Sequence, residues 1–342
     1  MKPPVQTVAQ IATSLALIGL VACGPGRREL QVIQGRTMGT TFVVKVVPEG
    51  ARPLPMDSLE AEINRVLREV NRQMSTYLPD SEISRFNRSR STEWFPISSD
   101  FARVLRVALE ISEASEGAFD VTVAPLVNLW GFGPEARPQR VPTEEALRQR
   151  QAWVGYRKLA VRLQPPAVKK AHPRMAIDLS AIAKGFGVDR VGELLEQWGL
   201  RNYMVEIGGE VRVRGRNPDG GPWRIGIRSP DAEAGLQKVV ELSDAALATS
   251  GDYFNYFEEN GVRYSHTLDP RTGRPITHKL ASVTVIHPSC TYADALATAI
   301  DVLGPDAGYA FAQSRRLPVY MIVRQGGGFV EKATPEFWRF SP

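Results

Sequence analysis

Tyr203, Val205 and Ile207 alternate with Met204 and Glu206, Gly208-Gly209 breaks the run, and Val211 and Val213 resume the alternation. A period of two on either side of a glycine pair reads as a β-hairpin or a bent strand pair. This is the strongest local constraint on the fold, because it joins two strands with no crossover helix between them. Thr40 to Val47, with Phe42, Val44 and Val46 on one face, reads as another strand, as do Trp223 to Ile227, Ser282 to Ile286 and Val319 to Val323. Strands that often follow one another directly indicate an α+β fold of mixed sheets and packed helices.

Helical periodicity fills part of the remainder. Leu59, Ile63, Val66, Leu67, Val70 and Met74 predict an amphipathic helix over 58–74. Phe101, Val104, Leu105, Ala108 and Leu109 predict a second, with Ser98, Ser99 and Asp100 available as caps. Thr143 with Glu144 and Glu145 starts a short helix. Ala176 to Asp178 reads as the end of a strand, with a helix after it to about Trp198 that Gly199 closes. Asp294 to Leu303 is a further helix, and Pro48 to Pro55 and Pro134 to Pro142 are loops. No internal repeat or long linker divides the chain, so the part after the N-terminal segment is expected to fold as one unit. The chain's 342 residues suffice for a substantial core.

The N-terminus carries a different signal. Lys2 precedes an apolar run from Ile11 to Ala22, interrupted only by Thr13, Ser14 and Gly19. The run is too short to span a bilayer comfortably and has the length of a signal-peptide core. It ends in Leu20-Val21-Ala22-Cys23, with a Gly-Pro-Gly-Arg-Arg tether after it. That ending resembles the bacterial lipobox, in which the cysteine is acylated and becomes the new N-terminus. The expected organisation is a lipoprotein signal peptide over 1–22, a lipidated tether over 23–35 and a folded domain over 36–342. Acyl chains on Cys23, palmitate among them, would hold the protein on a membrane without a spanning helix. The expected location is a bacterial cell envelope, facing the periplasm or the exterior.

Cys290 is the one other cysteine. With Cys23 lipidated it has no disulfide partner, and it reads as a small buried thiol rather than a nucleophile. Two cysteines also exclude paired-cysteine zinc sites. The composition, 43% hydrophobic and 23% charged, is that of a globular protein rather than a disordered one. The net charge of +5 is spread without a basic stripe, which argues against a nucleic-acid partner.

Five segments could carry chemistry, and each has a plain structural alternative. Met38-Gly39-Thr40-Thr41 offers a glycine for close backbone approach. Ser75 to Ser84 places Tyr77 at a helix exit, where it could stack on a planar ring or pack a core edge. Gly117-Ala118-Phe119-Asp120-Val121-Thr122, running on to Trp130-Gly131-Phe132-Gly133, suits a flat heterocycle or a tight loop. Asp178-Leu179-Ser180-Ala181-Ile182-Ala183-Lys184-Gly185 opens a helix whose free N–H groups could hold phosphate, with Lys184 adding charge. Glu206-Ile207-Gly208-Gly209-Glu210 gives a second backbone approach point. The spacing of a P-loop and that of a dinucleotide fingerprint are both missing. The fifth segment joins Thr249 to Tyr253, His266 to Gly273, and Ala293 to Thr298. Asp294 and Thr298 lie four apart on one helix face, where a carboxylate and a hydroxyl can share a hard cation or simply bond each other.

Taken in this order, the segments resemble the ApbE family, the FAD:protein FMN transferases, from Met38 to beyond Leu303. The resemblance implies an ApbE-like, T-fold-like α+β fold with FAD bound as substrate in a cleft between its parts. It implies that Met38, Tyr77, Ala118, Phe119, Asp120, Asp178 and Lys184 contact FAD, and that His266 and Leu268 line its diphosphate region. It implies Mg²⁺ held by the backbone carbonyl of Ala181 with Asp294 and Thr298. A threonine hydroxyl of an acceptor protein would attack the FMN-side phosphorus and AMP would leave. The implied acceptors carry an Asp/Ser-Gly-Ala/Ser-Thr motif and belong to membrane redox complexes of the Nqr and Rnf type. His266 is the first candidate for the general base, since a histidine pKa of ~6.5 suits neutral pH, and Asp294 the second. Two other functions fit the same residues: a Mg²⁺-dependent FAD pyrophosphatase, with water as nucleophile, and a non-catalytic FAD-binding lipoprotein.

Overall fold

The alternating segments assemble into one eight-stranded sheet in which every neighbouring pair is antiparallel. The order across it is Gln31–Thr37, Thr40–Val46, Tyr203–Ile207, Glu210–Arg214, Ala245–Gly251, Leu280–His287, Val319–Gln325 and Gly328–Ala333. The computed structural model describes residues 29–49, 54–135, 138–230, 235–251 and 256–342; Cys23 with its signal segment, and Asp252-Tyr253, lie outside them. Tyr203–Ile207 and Glu210–Arg214 form the expected hairpin, with Ile207 opposite Glu210 and both turn glycines at positive φ.

Period-two alternation lets the sheet bury both faces. One set of side chains, Tyr203, Val205, Ile207, Val283, Val285 and Met321 among them, packs under helices. The other, including Val211, Val213, Leu247, Tyr320 and Ile322, packs under the hairpin Trp223–Arg228/Leu236–Leu242 and Phe337. The sequence showed only the first strand of that outer hairpin. At the hairpin turn the Thr40 side chain comes close to Gly208: a Cβ there would meet Thr40 Cγ2 at 2.8 Å.

Two helices lie against the sheet and against each other, Ala183–Gln197 and Cys290–Ser314. The helix expected over 294–303 starts earlier, because Asp189 of the neighbouring helix caps it: its carboxylate accepts Cys290 N at 3.0 Å and Thr291 N at 2.9 Å. It kinks at Gly304 (φ 81°), just before Pro305, and resumes to Ser314. Met56–Met74 packs on Ala183–Gln197, and Ser99–Ala114, capped by Ser98, packs on Cys290–Ser314. Among the described residues no helix is long and apolar enough to cross a membrane.

Ala176 to Asp178 departs from expectation: it has no regular secondary structure and joins no sheet. The Asn87 side chain takes the place of a strand partner, donating to Ile177 O and accepting from Ile177 N, each at 2.8 Å. The buried Lys170 ammonium donates to Phe86 O, Ser89 O and Met175 O nearby. Satisfied backbone groups, not strand pairing, hold this segment.

The closest approach of the two central helices is at Gly185. A Cβ there would stand 2.4 Å from Cys290 O and 2.8 Å from Asp294 Cβ. Gly185→Ala therefore forces the helices apart, and overpacking of this kind costs about 1–3 kcal/mol. A urea titration of the variant should show a lower midpoint at unchanged slope, and an unchanged midpoint would contradict this packing.

Candidate active site

The start of the helix Ala183–Gln197, the first half of the helix Cys290–Ser314, strands of the large sheet, the outer strand Trp223–Arg228 and the loops around Tyr77, Asp120, Asp178 and His266 border one cavity of about 910 Å³. That is toward the upper end of the ~300–1,000 Å³ usual for small-molecule sites. Of the residues the sequence put forward, Tyr77, Ala118, Phe119, Asp120, Asp178, Ala181, Lys184, His266, Leu268, Asp294 and Thr298 all border it. Met38 does not. It occupies the turn between the first two strands at φ 48° and packs into the core, its Cε 2.8 Å from where a Cβ on Gly187 would stand.

The cavity floor is built by the helix crossing. Gly185 N, which in a regular helix would donate to Ala181 O, donates to Asp294 Oδ2 at 2.9 Å. Gly185 N lies in the first turn, where N–H groups lack helical acceptors, so this bond draws the Asp294 carboxylate to the helix start and leaves the Ala181 carbonyl outside the helical ladder. Thr298 follows Asp294 by one turn on the same face. Carboxylate, hydroxyl and carbonyl form an all-oxygen donor set of the kind hard cations prefer. Among the described residues no group of three His, Cys, Asp or Glu gathers as a metal cluster, so a cation here would rest on Asp294 with neutral oxygens.

Lys184 adds the positive charge, and its partner is a residue whose carboxylate the sequence reading did not use. Its Nζ lies 2.6 Å from Oε1 of Glu210, which is 1% exposed. Glu210 Oε2 is buried without a hydrogen-bond partner. Burial, and then the charge of Asp294, push the Glu210 carboxyl up from its ordinary range. Burial also raises Asp294, against the pull of Lys184 and Gly185 N. For Lys184, burial works against the ammonium, but Glu210 and Asp294 outweigh it and the net direction is up. Two buried carboxylates thus share one lysine, an arrangement short of positive charge. The available signal was a glutamate directly after the glycine pair, opening a strand whose Val211 and Val213 are buried, where a charge needs a partner.

The loops supply the walls. Tyr77 is 69% exposed, an aromatic face left open at the cavity. Ala118 and Phe119 are almost wholly buried and offer only their edges. The Asp120 carboxylate is occupied by its own loop and a second one: it accepts Thr122 N, Thr122 Oγ1 and Tyr156 N at 2.7–2.8 Å. Burial raises its pKa nonetheless. Asp178 accepts Ser180 N at 2.8 Å in a similar local turn. His266 follows the strand Val262–Ser265 and meets Phe132 edge-on at 6.4 Å. Its neighbour Thr267 donates to the fully buried Asp301 at 3.4 Å, as does Ser250 at 3.3 Å, which ties the His266 loop to the helix carrying Asp294. Asp301 was not singled out by sequence, although it lies seven residues after Asp294 on the same helix face. Cys290 is fully buried, its thiol raised by burial, as expected of a packing residue.

Lys184→Met would leave Glu210 and Asp294 buried with no cation. Carboxyls raised in the folded state make it bind more protons than the unfolded chain, so stability falls as pH rises above the ordinary range of ~4–4.5. Thermal melts in a metal chelator should show the variant losing stability from pH 5 to pH 8 more steeply than the parent. Parallel profiles would remove the charge-sharing argument.

Comparison with known proteins identifies the family. The ApbE family model matches residues 38–321. The chain is 47% identical to the FAD:protein FMN transferase of Haemophilus influenzae, over 96% of this chain and 95% of that one. It is 48% identical to the FAD:protein FMN transferase of Vibrio cholerae, over 95% and 96% respectively. The solved structure of flavin transferase ApbE from Vibrio cholerae superposes with a TM-score of 0.85 at 47% identity, covering 92% of this chain and 99% of that one. With the match spanning both helices of the cavity floor and most of the sheet, the chain belongs to the ApbE family.

Proposed function

We propose that this protein transfers the FMN moiety of FAD to a threonine of an acceptor protein and releases AMP, with Mg²⁺ as cofactor. The observation that carries the reading is the convergence of an exposed aromatic, a half-buried lysine and oxygen donors on one cavity large enough for a dinucleotide. FAD:protein FMN transferases are the relatives this chain resembles over nearly its whole length.

In this reading Tyr77 stacks on the flavin, and Phe119 with Ala118 closes the pocket behind it. Lys184 and the N–H groups at the helix start stabilise phosphate charge. Asp294, Thr298 and the Ala181 carbonyl hold Mg²⁺, which supplies charge neutralisation on the pyrophosphate oxygens. The threonine oxygen forms a bond to the FMN-side phosphorus, the bond from that phosphorus to the AMP oxygen breaks, and the hydroxyl proton passes to a base. His266 borders the cavity and takes that role; Asp294, committed to Gly185 N and a cation, is the poorer base. Asp120 and Asp178 act on the pocket mainly by fixing its loops.

The enzyme is held by acyl chains on Cys23 at a bacterial membrane, facing the periplasm or the exterior. There it meets acceptor subunits of Nqr- or Rnf-type redox complexes bearing the Asp/Ser-Gly-Ala/Ser-Thr motif. Cys23→Ser should leave the protein unprocessed or in the soluble exported fraction, read by fractionation and mass spectrometry of the N-terminus. An unlipidated N-terminus in the parent would end this part of the proposal.

An acceptor domain with that motif, incubated with the enzyme, FAD and Mg²⁺, should gain the mass of FMN as AMP appears in equal amount. Threonine-to-alanine in the acceptor should abolish labelling. AMP and free FMN formed equally fast without acceptor would identify a pyrophosphatase instead. Asp294→Ala should lower kcat on the order of 10²–10³-fold, as loss of a transition-state charge stabiliser does, while FAD affinity changes less. Thr298→Ala should have a milder effect, because a neutral ligand is lost. Full activity of Asp294→Ala in limiting Mg²⁺ would refute the metal assignment.

A further inference from the structure

We propose that the acceptor protein docks by adding an extended segment to the open edge of the strand Trp223–Arg228. This rests on the transferase reading above, which requires a protein hydroxyl to enter the cavity.

Side chains of a strand alternate between its two faces, so a cavity lying over one face would be bordered by every second residue. Here five consecutive residues, Arg224 through Arg228, border it. The cavity therefore meets the edge of this strand, where backbone N–H and C=O groups project. The opposite edge is taken by Leu236–Leu242, in register from Trp223 against Leu242 to Ile227 against Lys238. Among the described residues no strand pairs with the cavity edge. In an antiparallel ladder alternate residues direct their backbone groups to one side, so about half of the six residues present theirs to the cavity. Such groups call for partners, and strand addition is the recognition mode that supplies them.

Two other open edges flank the large sheet, Gln31–Thr37 and Gly328–Ala333. Neither contributes a residue to the cavity, so a segment bound there would not reach it. Six residues span about 20 Å at ~3.3 Å each, enough to hold a hydroxyl residue with neighbours on both sides. An added strand turns every second side chain to one face, so the hydroxyl can be aimed inward while its neighbours face solvent. Arg224 and Arg228 stand on the exposed face of the strand, four residues apart, and Arg224 reaches Glu241 only at 3.9 Å. They favour an acceptor segment with acidic side chains.

Hydrogen exchange on the full chain tests this. The enzyme is saturated with FAD and measured with and without the acceptor domain described above, carrying threonine-to-alanine so that the complex persists. A parallel reaction follows FMN labelling of the unaltered acceptor. The expected result is that alternate amides within 223–228 slow at least about tenfold when acceptor is added, while those of 31–37 and 328–333 do not change. Labelling without protection at 223–228 overturns the docking site and leaves the transferase reading standing. Protection of those amides by FAD alone, with no further change on adding acceptor, overturns it too. Absence of labelling overturns both readings.

Discussion

The site depends on one close approach, between the start of the helix Ala183–Gln197 and the start of the helix Cys290–Ser314. Gly185 permits it, since any Cβ would strike Cys290 O and Asp294 Cβ. Asp189, one turn further on, locks it by accepting from both backbone N–H groups and both side-chain hydroxyls at Ser289–Thr291. Arg212 from the sheet then pairs with Asp189 at 3.0 Å. Sheet, first helix and second helix are thereby joined at one carboxylate, and Asp294 reaches Gly185 N at the start of the first helix.

The electrostatics of the site follow from the same packing. Driving two helices together over a sheet excludes water from Asp294 and Glu210, and a buried carboxylate without full compensation resists ionisation. Lys184 compensates for part of this charge. What remains is a pocket that favours positive charge at its floor. Folding stability is given up locally so that the floor is arranged before substrate arrives, a usual feature of preorganised sites.

The walls are fixed by side chains that imitate backbone. Asn87 makes the two bonds a neighbouring strand would make to Ile177, and Asp120 satisfies N–H groups of two separate loops. Loops held in this way have their backbone groups satisfied without belonging to a sheet, and Tyr77 and His266 border the same cavity from two further segments. On the opposite side the outer hairpin closes the sheet's second face and ends at the cavity with a strand edge. The same element therefore covers core and borders the site.

Periodicity made the sheet and helices legible from sequence, because alternation of two or of 3.6 records which face is buried. The hairpin at Gly208-Gly209, the helix over 58–74 and the caps at Ser98 and Thr143 needed nothing beyond local pattern. Residue types and their order likewise marked Asp294, Thr298, Lys184 and Tyr77 as candidates. What sequence left undecided involves pairs distant along the chain: Lys184 with Glu210, Gly185 with Asp294, Asn87 with Ile177, Thr267 with Asp301. The packing of Met38 belongs to the same group, since a turn beside a strand gives no indication that its side chain lies against the core. Local pattern fixes the conformation of a segment, while burial and charge pairing depend on which segments meet, and only the tertiary structure decided that.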